Sequence, residues 1–135
     1  MLGERDVVAE VTLSSAPVCI EDVVAVASGA HVALSAETTA LLGRSRAVVE
    51  TALASGKPVY GLNTRLGAGR DTVLTPTEIT QFQRRVIANH EGGIGQALPA
   101  VEARALTFAR LVGFSRGGSG PGRSPPTRLR AAARG

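Results

Sequence analysis

The stretch GKPVYGLNTRLGAG, residues 56–69, decides how the rest of the chain is read. It sets the only tyrosine, Tyr60, against Gly61 and close to Asn63 and Thr64. Glycine loses more backbone freedom on ordering than any other residue and offers no side chain to pack. A segment this rich in it is therefore neither a regular helix nor a central strand. It reads as a shaped loop that displays Tyr60.

On the upstream side, Leu41, Val48, Val49 and Leu53 recur at broken helical spacing, which predicts a helix over residues 36–53 with Ser35 as its N-cap. Gly56 and Pro58 follow in the order expected past a helix end. Further back, DVVAEVTL (6–13) has strand-like composition, a short helix is predicted over 21–27, and HVALS (31–35) is a second short strand. On the downstream side, TPTE (75–78) is a capping box. Thr75 caps, Pro76 takes the first helical position, where its missing N–H is harmless, and Glu78 reaches back. Ile79, Phe82, Val86 and His90 continue on one face until Gly92 and Gly93. A last helix is predicted over 99–112, with Val101, Ala105, Phe108 and Leu111 inward, ending by Gly113.

With 44% apolar residues and 3% aromatics, the 135-residue chain can build one domain from aliphatic side chains. The net charge of +4 sits in the tail, where Arg116, Arg123, Arg128, Arg130 and Arg134 have no acid beside them, so the body is close to neutral. That distribution argues against a specific nucleic-acid binder. No apolar run approaches the roughly 20 residues a bilayer needs, and the charged N-terminus does not suit a signal peptide, so a cytoplasmic protein without membrane contact is expected. One cysteine and two histidines exclude a disulfide and a zinc-type site; Cys19 is expected to be a small buried hydrophobe, and no metal is expected.

GKPVYGLNTRLGAG is followed by FQRRVIANHEGGIGQALP (82–99) and ARALTFARLVGFSRGGSG (103–120). In this order and spacing, with DVVAVASGAHVALS (22–35) as lead-in, they resemble the N-terminal part of the aromatic amino acid lyases, the histidine, phenylalanine and tyrosine ammonia-lyase family. The resemblance covers about residues 7–120. It implies a mainly α fold: the N-terminal helical region of the ammonia-lyase (fumarase/aspartase-like) fold with minor short strands, its central helical bundle missing. It also implies a carbon–nitrogen lyase that eliminates ammonia from an aromatic amino acid and works as a homotetramer. The family's electrophile is a methylidene-imidazolone ring formed from an internal Ala-Ser-Gly.

By this resemblance Tyr60 is the base that removes the substrate's β-proton. A free tyrosine, with a pKa of ~10, would be mostly neutral at pH 7, so the site has to favour its phenolate. The residues alone would make it an amphipathic tyrosine at a loop edge. His90 matches a histidine near the substrate side chain and Asn89 a position that tunes selectivity, a lean toward histidine as substrate. Without the resemblance, His90 reads as a structural residue ending an apolar helix face. Gly61, Asn63, Thr64 and Gly67 are expected to shape the loop.

Arg65 and Leu66 depart from the family's YG-x-N-T-G-F-G pattern, and Glu91 stands where a small residue is common. Arg65 in place of glycine is expected to alter the backbone angle. Ala27-Ser28-Gly29 and Ala54-Ser55-Gly56 spell the electrophile's precursor upstream of its family position and read as helix-ending turns. The cofactor is therefore expected from a downstream tripeptide that this chain lacks. GGSGPGRS (117–124) approaches a P-loop, but no strand leads in and Pro125-Pro126 oppose the helix.

The expected organisation is a lyase-like region over residues 1–115 and a basic, unfolded tail over 116–135. The abrupt composition change near residue 120 suggests a truncated or frameshifted gene, whose downstream DNA would encode the missing helices. The chain alone is then expected to be inactive and prone to associate through exposed apolar faces. Two other readings are a noncatalytic fragment that joins a full-length lyase and a weak nucleic-acid binder acting through the arginine tail.

Overall fold

The computed structural model describes residues 9–90 and 92–121. The start of DVVAEVTL, Glu91 and the tail beyond Pro121 lie outside them, as do the last three residues of the P-loop-like run. Two strands and four α-helices follow in the order β1 (Glu10–Leu13), α1 (Ile20–Ala27), β2 (His31–Leu34), α2 (Ala36–Ala54), α3 (Pro76–His90) and α4 (Ala100–Ser115), with one 3₁₀ turn at Gly67–Gly69. The fold is mainly helical, as expected. Among the described residues, those up to Val48 and those from Ala97 onward form one compact unit, and those within Val49–Gln96 form a second.

In the first unit β1 and β2 pair in parallel, Glu10 opposite His31 and Leu13 opposite Leu34. Parallel neighbours need a crossover, and α1 supplies it. Ala27-Ser28-Gly29 ends that helix. The Gly29 N–H donates to Val26 and the Ala30 N–H to Ala25, a closure that needs the left-handed backbone of Gly29, φ 109°. Ser35 caps α2 by accepting from the Thr38 N–H, and the Thr38 hydroxyl donates to the Leu13 carbonyl. α1 packs on α4, and Leu13, Val26, Ala30, Val32, Phe108 and Leu111 make the core.

Several expectations need correction. α4 runs through Gly113 to Ser115, because burial of Leu111 and Ser115 holds the last turn at a position where glycine costs only about 1 kcal/mol. Val101 is 54% exposed, since the core lies against the later turns of α4. In α2, Val48 is exposed, and Thr38 and Leu42 are buried instead. Cys19 is exposed at the N-cap of α1, with its N–H donating to the Asp22 carboxylate. The Asp22 backbone N–H draws the Cys19 thiol downward. The neighbouring Glu21 and Asp22 carboxylates and burial outweigh it and hold the thiol above its ordinary value, which disfavours a nucleophilic thiolate.

Residues 116–121 contact the first unit. Arg116 donates to the carbonyls of Ser14, Ser15 and Ala16, and Ser45 bonds the Gly117 carbonyl and accepts from the Gly120 N–H. Ile20, Val24, Ile87 and Leu106 are exposed apolar side chains on the helices.

Candidate functional site

The second unit carries the tyrosine loop. α2 stops at Ala54, and Gly56, with φ 66°, turns the chain toward Tyr60. Asn63 is buried beneath the loop. Its carbonyl oxygen accepts from the Val59 N–H at 2.7 Å, its amide donates to the Lys57 carbonyl at 2.9 Å, and its backbone carbonyl takes the Leu74 N–H at 2.8 Å. Thr64, also buried, donates to the Arg65 carbonyl and accepts from the Gly61 N–H, and it bridges to Val73. Gly61 has φ 73°, and a Cβ there would stand 3.3 Å from Leu66, so both backbone angle and space favour glycine. Arg65 has no left-handed backbone angle: its N–H bonds the Thr72 carbonyl across the loop, and the left-handed turns fall on Gly61 and Gly67.

On this frame Tyr60 is 64% exposed. Its hydroxyl oxygen accepts a long bond, 3.4 Å, from the Gly67 N–H. Asn63→Ala is expected to orphan the Val59 N–H and the Lys57 carbonyl. Local opening of the loop becomes easier by about 1–3 kcal/mol, read as faster hydrogen exchange at Val59.

α3 begins as its sequence predicts. The Thr75 hydroxyl and N–H both donate to Glu78, and the Glu78 N–H donates back to the Thr75 hydroxyl. These bonds hold the Glu78 carboxyl below its usual range, the side-chain bond first, with the positive charge of Arg65 adding to them. A lowered carboxylate stabilises the fold above its unfolded pKa and loses that effect as pH falls through the folded value. The melting-temperature gap between the parent and Glu78→Ala should therefore be full at pH 7 and shrink below about pH 4.3.

Gln83 was not singled out in the sequence, yet its side-chain amide donates to the Gly61 carbonyl at 2.9 Å and so ties α3 to the residue after Tyr60. His90 lies seven residues, two helical turns, further along the same face, a spacing that could have flagged Gln83. The His90 Nδ1–H donates to the Val86 carbonyl at 2.6 Å, which leaves Nε2 as the outward nitrogen. Asn89, about 100° around the helix, lines a different feature, a cavity of about 330 Å³. Leu74, Phe82 and Val86 form its apolar lining, and Glu78, Gln81, Arg85 and Arg65 line it with polar groups. Neither Tyr60 nor His90 lines this cavity.

Both Ala-Ser-Gly tripeptides end helices, as their sequence suggests. Here the Gly29 N–H bonds Val26, the Gly56 N–H bonds Leu53, and the Ser55 hydroxyl donates to the Ala52 carbonyl, so each tripeptide is engaged in a helix-ending turn. Among the described residues no group of three or more His, Cys, Asp or Glu side chains could hold a metal ion, and no helix is long and apolar enough to cross a membrane.

Comparison with known proteins gives this geometry its context. A histidine ammonia-lyase of Treponema denticola is 37% identical over 117 residues, 86% of this chain and 23% of the relative. The solved structure of the ergothioneine-degrading ergothionase of Treponema denticola superposes with a TM-score of 0.87 at 25% identity, over 93% of this chain and 25% of that one. The tyrosine aminomutase of Streptomyces globisporus gives 0.86 at 26% identity, over 93% and 24%. The chain thus spans about a quarter of the length of these relatives. The aromatic amino acid lyase profile matches residues 18–132, so the likeness continues past Gly120, where the sequence reading ended it. Tyrosine loop, capped α3 and superposed fold agree with that match: the chain is a member of the aromatic amino acid lyase family.

Proposed function

We propose that this chain is the base-bearing N-terminal part of an ammonia-lyase that acts on an aromatic amino acid, with histidine as the favoured substrate. The observation that carries the reading is the exposed phenol of Tyr60 on a loop whose own polar groups are bonded beneath it. A β-carbon proton is weakly acidic, and removing it needs a base placed within contact distance. A hydrogen-bonded loop with its tyrosine outward presents such a group to whatever completes the site. Gln83 fixes the loop to α3, and His90 follows on the same face with Nε2 outward, where it would meet a polar side chain of the substrate. Asn89 would act from the neighbouring face in selecting that side chain. The electrophilic ring and the other contacts come from outside the described residues, in an intact enzyme that assembles as a homotetramer.

The direct test is to incubate the purified chain with histidine, tyrosine or phenylalanine and follow ammonia. No turnover is expected. Coexpression with the remaining length of a histidine ammonia-lyase should restore ammonia release from histidine ahead of the other two. Turnover by the chain alone, or no restored activity from a soluble complex, would defeat the reading.

A further inference from the structure

Residues 116–120, Arg-Gly-Gly-Ser-Gly, leave the last turn of α4 and are fastened to the first unit by polar bonds at both ends. The Arg116 guanidinium donates to the carbonyls of Ser14, Ser15 and Ala16 at 3.4, 3.2 and 3.1 Å, in the loop that follows β1. A guanidinium carries its N–H donors in a fixed fork, so one side chain can span three consecutive carbonyls. Further on, the Gly120 N–H donates to the Ser45 hydroxyl at 3.0 Å, and that hydroxyl also bonds the Gly117 carbonyl. Ser45 therefore holds both ends of one turn against α2.

The fit depends on one glycine. Gly117 has φ 76°, and a Cβ there would stand 2.9 Å from Leu41, so both the backbone angle and the space exclude a side chain. Gly118, its neighbour, has no such constraint, since a Cβ there would meet nothing within 4 Å. The energetics set this segment apart from the core. It brings no apolar side chain to Phe108, Leu111 and their neighbours, so lifting it breaks polar bonds without exposing them. Segments with few buried apolar contacts open at far lower cost than the whole fold. Arg116 also lines a cavity of about 170 Å³ together with Glu37, Thr38 and Leu41, and departure of the segment takes that wall away.

We infer that residues 116–120 form a strap, latched by Ser45 and Arg116, that opens as a unit while the core stays folded. Opening uncovers Leu41 and the carbonyls of Ser14–Ala16 and unroofs the cavity between them. Because the strap is one unit, breaking either latch loosens both.

The test is amide hydrogen exchange of the full chain, followed by NMR. In the parent the Gly120 amide should be protected, and low urea should barely change its exchange, because opening the strap exposes little surface. Ser45→Ala removes both latch bonds and should speed exchange at Gly120 about tenfold. Arg116→Gln, which does not touch Gly120, should speed it in the same direction, and Ser45→Ala should in turn speed exchange at Ala16. Gly117→Ala should open the strap by strain and contact with Leu41, whereas Gly118→Ala should leave exchange within about twofold of the parent. In all four variants the Leu111 amide and the helical circular dichroism should stay as in the parent, which separates an open strap from a lost fold. Three results would each overturn the inference. These are a Gly120 rate unmoved by Arg116→Gln, a Leu111 rate that rises with that of Gly120, and equal effects of Gly117→Ala and Gly118→Ala.

Discussion

Tyr60→Phe, introduced into an enzyme assembled from this chain and the remaining length of a histidine ammonia-lyase, is expected to lower turnover of histidine by about 10²–10⁴-fold, the usual contribution of a positioned general base. The substitution removes one oxygen and leaves the ring. Tyr60 is largely exposed, and its hydroxyl makes only the long bond to the Gly67 N–H, so the melting temperature should barely move. Loss of rate at constant stability is what distinguishes a base from a packing residue. KM should change little, since in the proposed reading the phenol acts on a proton and the substrate side chain is met by the His90 face. A variant that retains rate within about threefold of the parent would remove Tyr60 from the chemistry. Gln83→Ala offers a graded companion: releasing the Gly61 carbonyl loosens the loop without touching the phenol. Its kcat should therefore fall less than that of Tyr60→Phe while the pH profile keeps its shape.

The largest expected effect on stability is that of Phe108→Ala. Phe108 is fully buried between α4 and the strands and helix it packs on, in a core otherwise made of small aliphatic side chains. Removing the ring of a buried phenylalanine costs about 3–5 kcal/mol, as lost transfer energy plus the cavity left behind. Domains of this size are stable by about 5–15 kcal/mol, and a core with so few aromatic groups has little to rearrange into the space. Cooperative thermal unfolding of the first unit, followed by circular dichroism, should shift down by tens of degrees or disappear. Leu106→Ala, two residues away and 61% exposed, should change stability by no more than about 0.5 kcal/mol. Equal effects of the two substitutions would mean that the α1–α4 packing is not the core described here.

Much of this architecture was legible before any coordinates, for a definable reason. Thr75 and Glu78, Ser35 and Thr38, and the Ser28-Gly29 turn all bond within a few residues of themselves. Signals of that range are written in consecutive letters. The ordered blocks around Tyr60, His90 and GGSG carried the family in the same way, because spacing along the chain is itself sequence information. The core-facing residues of the long helices were less readable. In α2 and α4 the apolar residues are spread around the helix, so periodicity could not say that Leu42 goes inward and Val48 outward, or that Val101 is left exposed.

The amino-acid sequence by itself determined the helices, the Ser35 and Thr75 caps, the glycine loop and the family, since each rests on local backbone chemistry or on ordered motifs. Only the tertiary structure decided which contacts close over long separations. Arg116 reaches carbonyls about a hundred residues away in sequence, Gln83 ties a helix to the residue after Tyr60, and Arg65 joins Arg85 around one cavity. The physical reason is that such contacts depend on how separate segments are brought together. A guanidinium or an amide finds its partner by position in space, and no spacing within its own segment encodes that position.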